Sequence, residues 1–304
     1  MKIVFIILAI FILNSIQESI PAFDILDYEL IDLVNKLREL DNNKAEPGQI
    51  SLNYQGHTTT RDVFDNAKLP LFKNVNQNLL RRKSYASLIK LMDNYEADVA
   101  SVETSTPEEE REISEFLLNV FKSPLSNYLY EFLQRKNHPY AVDKKTYAKW
   151  MRQLWFGTYS RARGVQNSSS GFEHVFIGEI KNEVIGMHNW LRFYILEKNS
   201  TMDKFDYKGF LVKRFNLLAA VKYSWLSQYK KSGSFLIGSS PEFDFSLYTL
   251  CFLSRRGMST CNIEIDNCPL SITSYDMIQN GKVFIGTMFP SAGRITESCK
   301  ERNG

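Results

Sequence analysis

Apolar residues fall at helical spacing through the first half of this chain. From Asp24 to Leu37 they recur as Ile25, Leu26, Leu30, Ile31, Leu33, Val34 and Leu37, the rhythm of a helix with one buried stripe. Ser84 to Asn94 repeats it with Leu88, Ile89, Leu91 and Met92. Thr106-Pro107-Glu108-Glu109-Glu110 predicts a helix start, with a threonine cap, a proline in the first turn and acids at the positive end. Leu117, Leu118, Val120 and Phe121 are the expected buried face of that helix. Ser126 to Gln134 predicts a further helix, and Lys145 to Trp155 a linking one. Asn42-Asn43 and Pro47-Gly48 mark turns.

Beyond residue 140 the pattern changes to strands. Three apolar runs end in Ile-Gly, at Val175 to Gly178, Phe235 to Gly238 and Val283 to Gly286. They read as strands ending at turns rather than as a repeat. Ser240-Pro241-Glu242 is a capped helix start followed by Phe243, Leu247 and Leu250 on one face. Gly171 to Ile180 and Val184 to Leu196 read as two strands joined by Lys181-Asn182-Glu183. The fold class is therefore α+β, with a helical region over 24–140 and a β-rich region over 141–304.

Composition adds limits. A chain of 304 residues with 44% hydrophobic content can bury a large core. A net charge of +3 permits a polyanionic substrate without demanding one, and no basic run forms a binding tail. Lys2 followed by the apolar run Ile3 to Leu13 predicts a secretory signal peptide over about residues 1–19, with an uncleaved anchor as the alternative. Secretion makes disulfides the expectation for the four cysteines, Cys251, Cys261, Cys268 and Cys299. Cys261 and Cys268 can staple a hairpin, and Cys251 reads equally well as a free core thiol. Sequons stand at Asn167 and Asn199; a sugar on Asn167, seven residues before His174, is expected to crowd the approach to that histidine.

Chemistry concentrates on two of the four histidines, His174 and His188. A three-residue connection at Lys181-Asn182-Glu183 sets both on one face of a hairpin, as diagonal neighbours about 7–8 Å apart. A two-residue connection puts them on opposite faces. On one face they can act as an acid–base pair. The rival readings are a structural role and ligation of a metal by both histidines and a glutamate.

Ser169-Ser170-Gly171-Phe172-Glu173-His174-Val175-Phe176-Ile177-Gly178-Glu179 and His188-Asn189-Trp190-Leu191-Arg192-Phe193-Tyr194 resemble the signature of the EndoU (XendoU) family of uridylate-specific endoribonucleases. The likeness continues through Gly233 to Phe245 and, more weakly, through Leu40 to Lys44, Leu91 to Glu96 and Thr106 to Glu109, so it spans about residues 24–290. The resemblance implies one EndoU-like domain, helical half packed on antiparallel sheets. It implies cleavage of single-stranded RNA at uridines by 2′-hydroxyl attack, leaving a 2′,3′-cyclic phosphate and a 5′-hydroxyl. It implies His188 as base, His174 as acid and Lys230 as the cation on the phosphate. Glu173 and Glu179 align with required acids and are supporting or metal-ligand candidates. Manganese is the implied cofactor, and the metal ligands stay open. Ser234, Thr287 and Phe289 align with substrate-binding positions. Phe289 stands where the family commonly has tyrosine, so a hydroxyl is missing beside the base. The expected protein is a secreted monomer that binds single-stranded RNA and no membrane once the signal is removed. A catalytically weak RNA-binding or extracellular interaction protein on the same fold is the alternative.

Overall fold

The structure is a computed structural model that describes residue 21, residue 23, residues 25–255 and residues 260–304. The signal-peptide segment lies outside the described residues. None of the described helices is long and apolar enough to cross a membrane.

The first half forms helices where the apolar spacing predicts them. Helix α1 (Asp27–Glu39) buries Leu30, Leu33, Val34 and Leu37. A short antiparallel pair follows, β1 (Ile50–Leu52) with β2 (Phe72–Val75). Helices α2 (Gln77–Leu80), α3 (Lys83–Lys90), α4 (Pro107–Lys122), α5 (Pro124–Arg135) and α6 (Lys144–Phe156) come next. The start of α4 is as expected: Thr106 Oγ1 accepts from Glu109 N while Glu109 reaches back to Thr106 N. Its buried face is Ile113, Phe116, Leu117 and Val120. Leu118, expected inside, is 51% exposed because it lies off that stripe.

Strands β3 (Thr158–Tyr159) and β4 (Ser169–Ser170) pair, as do β5 (Glu179–Ile180) and β6 (Val184–Ile185). Two expectations fail here. Glu173–Ile177 is a π-helical turn rather than part of a strand. Trp190–Lys198 is helix α7, capped by Asn189, whose Oδ1 accepts from Arg192 N at 3.1 Å. Both segments are buried on nearly every side, and burial on all faces is met equally by helix or strand. The hairpin connection does hold three residues, with Glu179 opposite Ile185 and Ile180 opposite Val184.

After α8 (Ser200–Asp203) come two antiparallel sheets. One is β7 (Asp206–Arg214), β8 (Leu218–Trp225) and β9 (Gln228–Leu236). The other, following helix α9 (Pro241–Ser254), is β10 (Thr260–Ile265), β11 (Cys268–Gln279) and β12 (Lys282–Ala292). Two-residue turns with positive φ at Leu226-Ser227, Asp266-Asn267 and Asn280-Gly281 close three hairpins, in register with the right-handed strand twist. Helix α10 (Glu297–Asn303) ends the chain.

Every residue of α9 is buried. An apolar helix without a polar face belongs inside, and α9 is packed by α1, α3, α4 and α5 on one side and β10 and β11 on the other. The cysteines pair as Cys251–Cys261 and Cys268–Cys299. Of the arrangements the sequence left open, the Cys261–Cys268 staple does not form and Cys251 is not a free thiol. The first bridge ties α9 to β10 and the second ties α10 to β11.

Candidate active site

A cavity of about 630 Å³ opens between β9, the outer strand of one sheet, and β12, the outer strand of the other. It is lined by His174, His188, Lys230, Ser234, Thr287 and Phe289, together with Ile185, Gly186, Val212, Leu218, Ala220, Ser232, Pro290, Ser291 and Ala292. Six of the eight residues singled out in the sequence therefore meet in one place. Glu179 stands directly behind them and Glu173 is buried away from the cavity.

The two histidines are brought together by main chain. Met187 N donates to the His174 carbonyl at 2.9 Å and His188 N to the Val175 carbonyl at 2.7 Å. Gly186, between them in space, has φ +66°, and a Cβ built there would lie 1.8 Å from the His174 carbonyl oxygen. Only glycine lets the two segments approach so closely. The π-helical turn is held at its start by Ser170 Oγ, which accepts from Glu173 N at 3.1 Å. It ends at Gly178, whose N–H donates to the Glu173 carbonyl at 2.8 Å.

The rings are held by opposite kinds of partner. His188 Nδ1 lies 2.8 Å from the Ser234 carbonyl oxygen. A carbonyl only accepts, so Nδ1 carries the hydrogen and Nε2 keeps its lone pair. Phe289 leans on this ring, centroids 5.5 Å apart. His174 Nδ1 lies 2.5 Å from Glu179 Oε2, and its Nε2 lies 3.0 Å from Thr287 Oγ1. Glu179 Oε2 is itself 3.1 Å from Arg161 Nε. Arg161 is anchored by Ser169 Oγ at 2.9 Å, the Gly286 carbonyl at 2.7 Å and the Tyr159 hydroxyl. Sequence reasoning missed Arg161. It sits in the polar segment Ser160 to Arg163, which periodicity reads as a loop, and only its docking beneath β5 shows its place.

Burial controls the charges. It pulls the His174 pKa down to about 4, against the Glu179 hydrogen bond and with help from Arg161 and Lys230. His188 is pulled well below the usual histidine value by burial and then by Lys230. Lys230 is itself lowered to about 8 by burial, opposed by Glu183 and Glu179. Its neighbour Lys231 is 67% exposed and points away, 3.9 Å from Glu183. Glu173 is fully buried, both its oxygens lack a hydrogen-bond partner, and burial with the charges of Glu179 and Glu103 pushes it up to about 11. It is a neutral acid at physiological pH.

That donor set does not fit a manganese ion held by the chain. Among the described residues no three His, Cys, Asp or Glu side chains converge on a metal position. Glu173 is buried away from the cavity, and Glu179 is committed to His174 and Arg161. Asn167 lies apart from the catalytic cavity: it lines a second one of about 660 Å³ beside α6 and the start of β12, where its Oδ1 accepts from Thr158 Oγ1 at 3.3 Å. A sugar there would face that second cavity rather than His174. Asn199 caps the end of α7 on the surface.

Comparison with known proteins points to one family. The sequence model of the family described as Endoribonuclease XendoU matches residues 29–290. The uridylate-specific endoribonuclease of Bos taurus is 37% identical over 271 residues, covering 86% of this chain and 64% of that protein. The chain thus spans somewhat under two thirds of that relative. The poly(U)-specific endoribonuclease of Xenopus tropicalis is 34% identical over 282 residues, covering 87% of this chain and 94% of that protein. The solved structure "The structure of XendoU: a splicing independent snoRNA processing endoribonuclease" superposes with a TM-score of 0.74 at 32% identity, covering 89% of this chain and 99% of that one.

Proposed function

The chain belongs to the XendoU endoribonuclease family, and from that premise we propose that it is a secreted endoribonuclease that cleaves single-stranded RNA at uridines. The reaction is 2′-hydroxyl attack on the adjacent phosphodiester. His188 Nε2 takes the 2′-hydroxyl proton, O2′ bonds to phosphorus, the bond from phosphorus to O5′ breaks, and His174 Nε2 delivers a proton to O5′. The products are a 2′,3′-cyclic phosphate and a 5′-hydroxyl. Each proton transfer is worth about 10²–10⁴-fold in rate.

The observation that carries this reading is the asymmetry of the two Nδ1 partners. The carbonyl behind His188 fixes the tautomer that leaves Nε2 free, and burial with the charge of Lys230 keeps that ring neutral, as a base requires. A carboxylate behind His174 favours the imidazolium of an acid, and the incoming phosphodiester adds to that preference. Lys230, with a pKa of about 8, is charged at neutral pH and faces the same cavity, where it can balance charge building on the phosphate. Thr287 holds His174 Nε2 until the leaving oxygen replaces it. Ser234 and Phe289 border the base. Chemistry through these groups needs no other reagent than the RNA.

Incubation of folded protein with RNA carrying one uridine, with product ends mapped, tests the proposal. Cyclic phosphate and 5′-hydroxyl ends, lost in His188→Ala, are expected. A 5′-phosphate product, or no cleavage with or without manganese, would falsify it. Recovery of the mature chain from the medium of expressing cells checks secretion.

A further inference from the structure

Strand β12 borders two cavities. Thr287 and Phe289 line the catalytic one, while Lys282 and Phe284 line the second, of about 660 Å³, beside α6. In an unbroken strand, residues an odd number apart point to opposite faces. Here Tyr275 of β11 pairs with Thr287 and Asp276 with Ile285, so Gly286 is a bulge and the alternation flips across it. Lys282 and Phe284 therefore share a face with Thr287 and Phe289. The bulge is pinned by Arg161 and the Tyr159 hydroxyl, which donate to the Gly286 carbonyl at 2.7 and 3.3 Å. Between the two cavities the same face carries Tyr275, which is 54% exposed. Lys282 pairs with Gln279, which puts its backbone about 14 Å beyond the pair Tyr275 and Thr287, at roughly 3.4 Å per residue.

The second cavity is positive. Lys149, Arg152 and Lys282 line it against one acid, Glu110, which pairs with Arg152. Lys149 and Lys282 are exposed, and among the described residues no acid pairs with either. Phe156 and Phe284 add ring surface. Cations beside aromatic faces are what a single-stranded nucleic acid binds without regard to sequence. The order along the face gives a polarity. Ser234 and Phe289 border the base 5′ of the cleaved bond, and His174, held against Thr287, serves the oxygen that leaves with the 3′ fragment. Tyr275 and then Lys282 follow on that leaving side.

We propose that the second cavity is a binding site for the same RNA strand, holding phosphates and bases a few nucleotides 3′ of the cleaved bond, with Tyr275 stacking on a base between the two cavities. This rests on the endoribonuclease reading above and adds to it a dependence on the length of the 3′ flank.

The test uses oligonucleotides with a single uridine ribonucleotide in deoxynucleotide flanks, so that only one bond can be cut. The protein is freed of glycans, because a sugar on Asn167 would face this cavity. Lengthening the 3′ flank from one to about six nucleotides should raise kcat/KM at least about tenfold, a factor that stacking of one base can supply. The same extension on the 5′ side should not. The variant Lys149→Gln/Lys282→Gln should abolish the gain and cut the short substrate at the native rate. Fluorescence anisotropy with the 3′-extended all-deoxy oligonucleotide reads affinity without chemistry. Its salt dependence should be shallower in the variant by about 1.4 in slope, two phosphate contacts at about 0.7 each. An equal gain from the 5′ extension, a gain that survives in the variant, or an unchanged salt slope overturns the inference. If nothing is cut, the endoribonuclease reading falls and anisotropy decides by itself. Weaker binding of the 3′-extended strand alone by the variant supports the second site, and equal binding by native and variant protein removes it.

Discussion

Replacing Glu179 with glutamine keeps the side chain's shape and removes its charge. In the native site Oε2 lies 2.5 Å from His174 Nδ1 and 3.1 Å from Arg161 Nε. This carboxylate is what opposes burial, Arg161 and Lys230, all of which disfavour a charged His174. Without it the imidazolium becomes scarcer and the ring is free to take the other tautomer. A hydrogen bond to a charged group is worth about 1.5–3 kcal/mol. At about 1.4 kcal/mol per tenfold, kcat should fall about 10- to 100-fold. The sign for pH follows: the limb of the profile that needs protonated His174 moves to lower pH, so the optimum moves acidward. The assay is kcat on a single-uridine RNA from pH 4 to pH 9. A second substrate separates acid from base. Sulfur in place of the bridging 5′ oxygen leaves without a proton, so Glu179→Gln should cut it at close to the native rate. Arg161 keeps its bonds to Ser169 and the Gly286 carbonyl, so the melting temperature should change little. A folded variant with native kcat, an unmoved profile and no thio rescue would show that Glu179 does not act through His174.

Lys230→Met should lower kcat by about 10²–10³ with a smaller change in KM, the usual cost of losing one charge-stabilising group; native kcat in steady-state cleavage would remove the lysine from the chemistry. Asp244 is fully buried and pushed up to about 8, chiefly by burial and partly by the charge of Asp41. It is an acid with a raised folded pKa, so its contribution is whole below about pH 3.9 and is lost as pH rises towards 8. The native melting temperature should fall across that window, and Asp244→Asn should flatten the fall, read by calorimetry from pH 5 to pH 9; equal slopes would contradict a buried proton there. Removing the Cys268–Cys299 bridge with Cys268→Ser/Cys299→Ser should cost about 2–4 kcal/mol and speed amide exchange in α10 before it does so in β11.

Much of this architecture is written locally. The caps at Thr106 and Ser240 and the stripes of α1 and α4 depend on residues a turn apart, so the chain announces them. The three-residue connection after β5 was also legible, and with it the meeting of the two histidine segments. The turn at Glu173–Ile177 was not. Phe172, Val175, Phe176 and Ile177 are all buried, and a run without a polar side carries no period to read. Trp190–Lys198 misleads for the same reason, although Asn189 is a recognisable cap. Arg161 and the cysteine pairing depend on contacts between elements far apart in the chain, which no local pattern encodes.

Gly186 leaves a final consequence. The separation of the two imidazoles is fixed by main chain passing where a methyl group would collide with the His174 carbonyl. In a saturation library that position should be as silent as either histidine, although it bears no reactive atom. A genetic screen would score it as catalytic; the true cause is volume. Anyone grafting this site onto another scaffold would have to carry over the pair of backbones first and the side chains second.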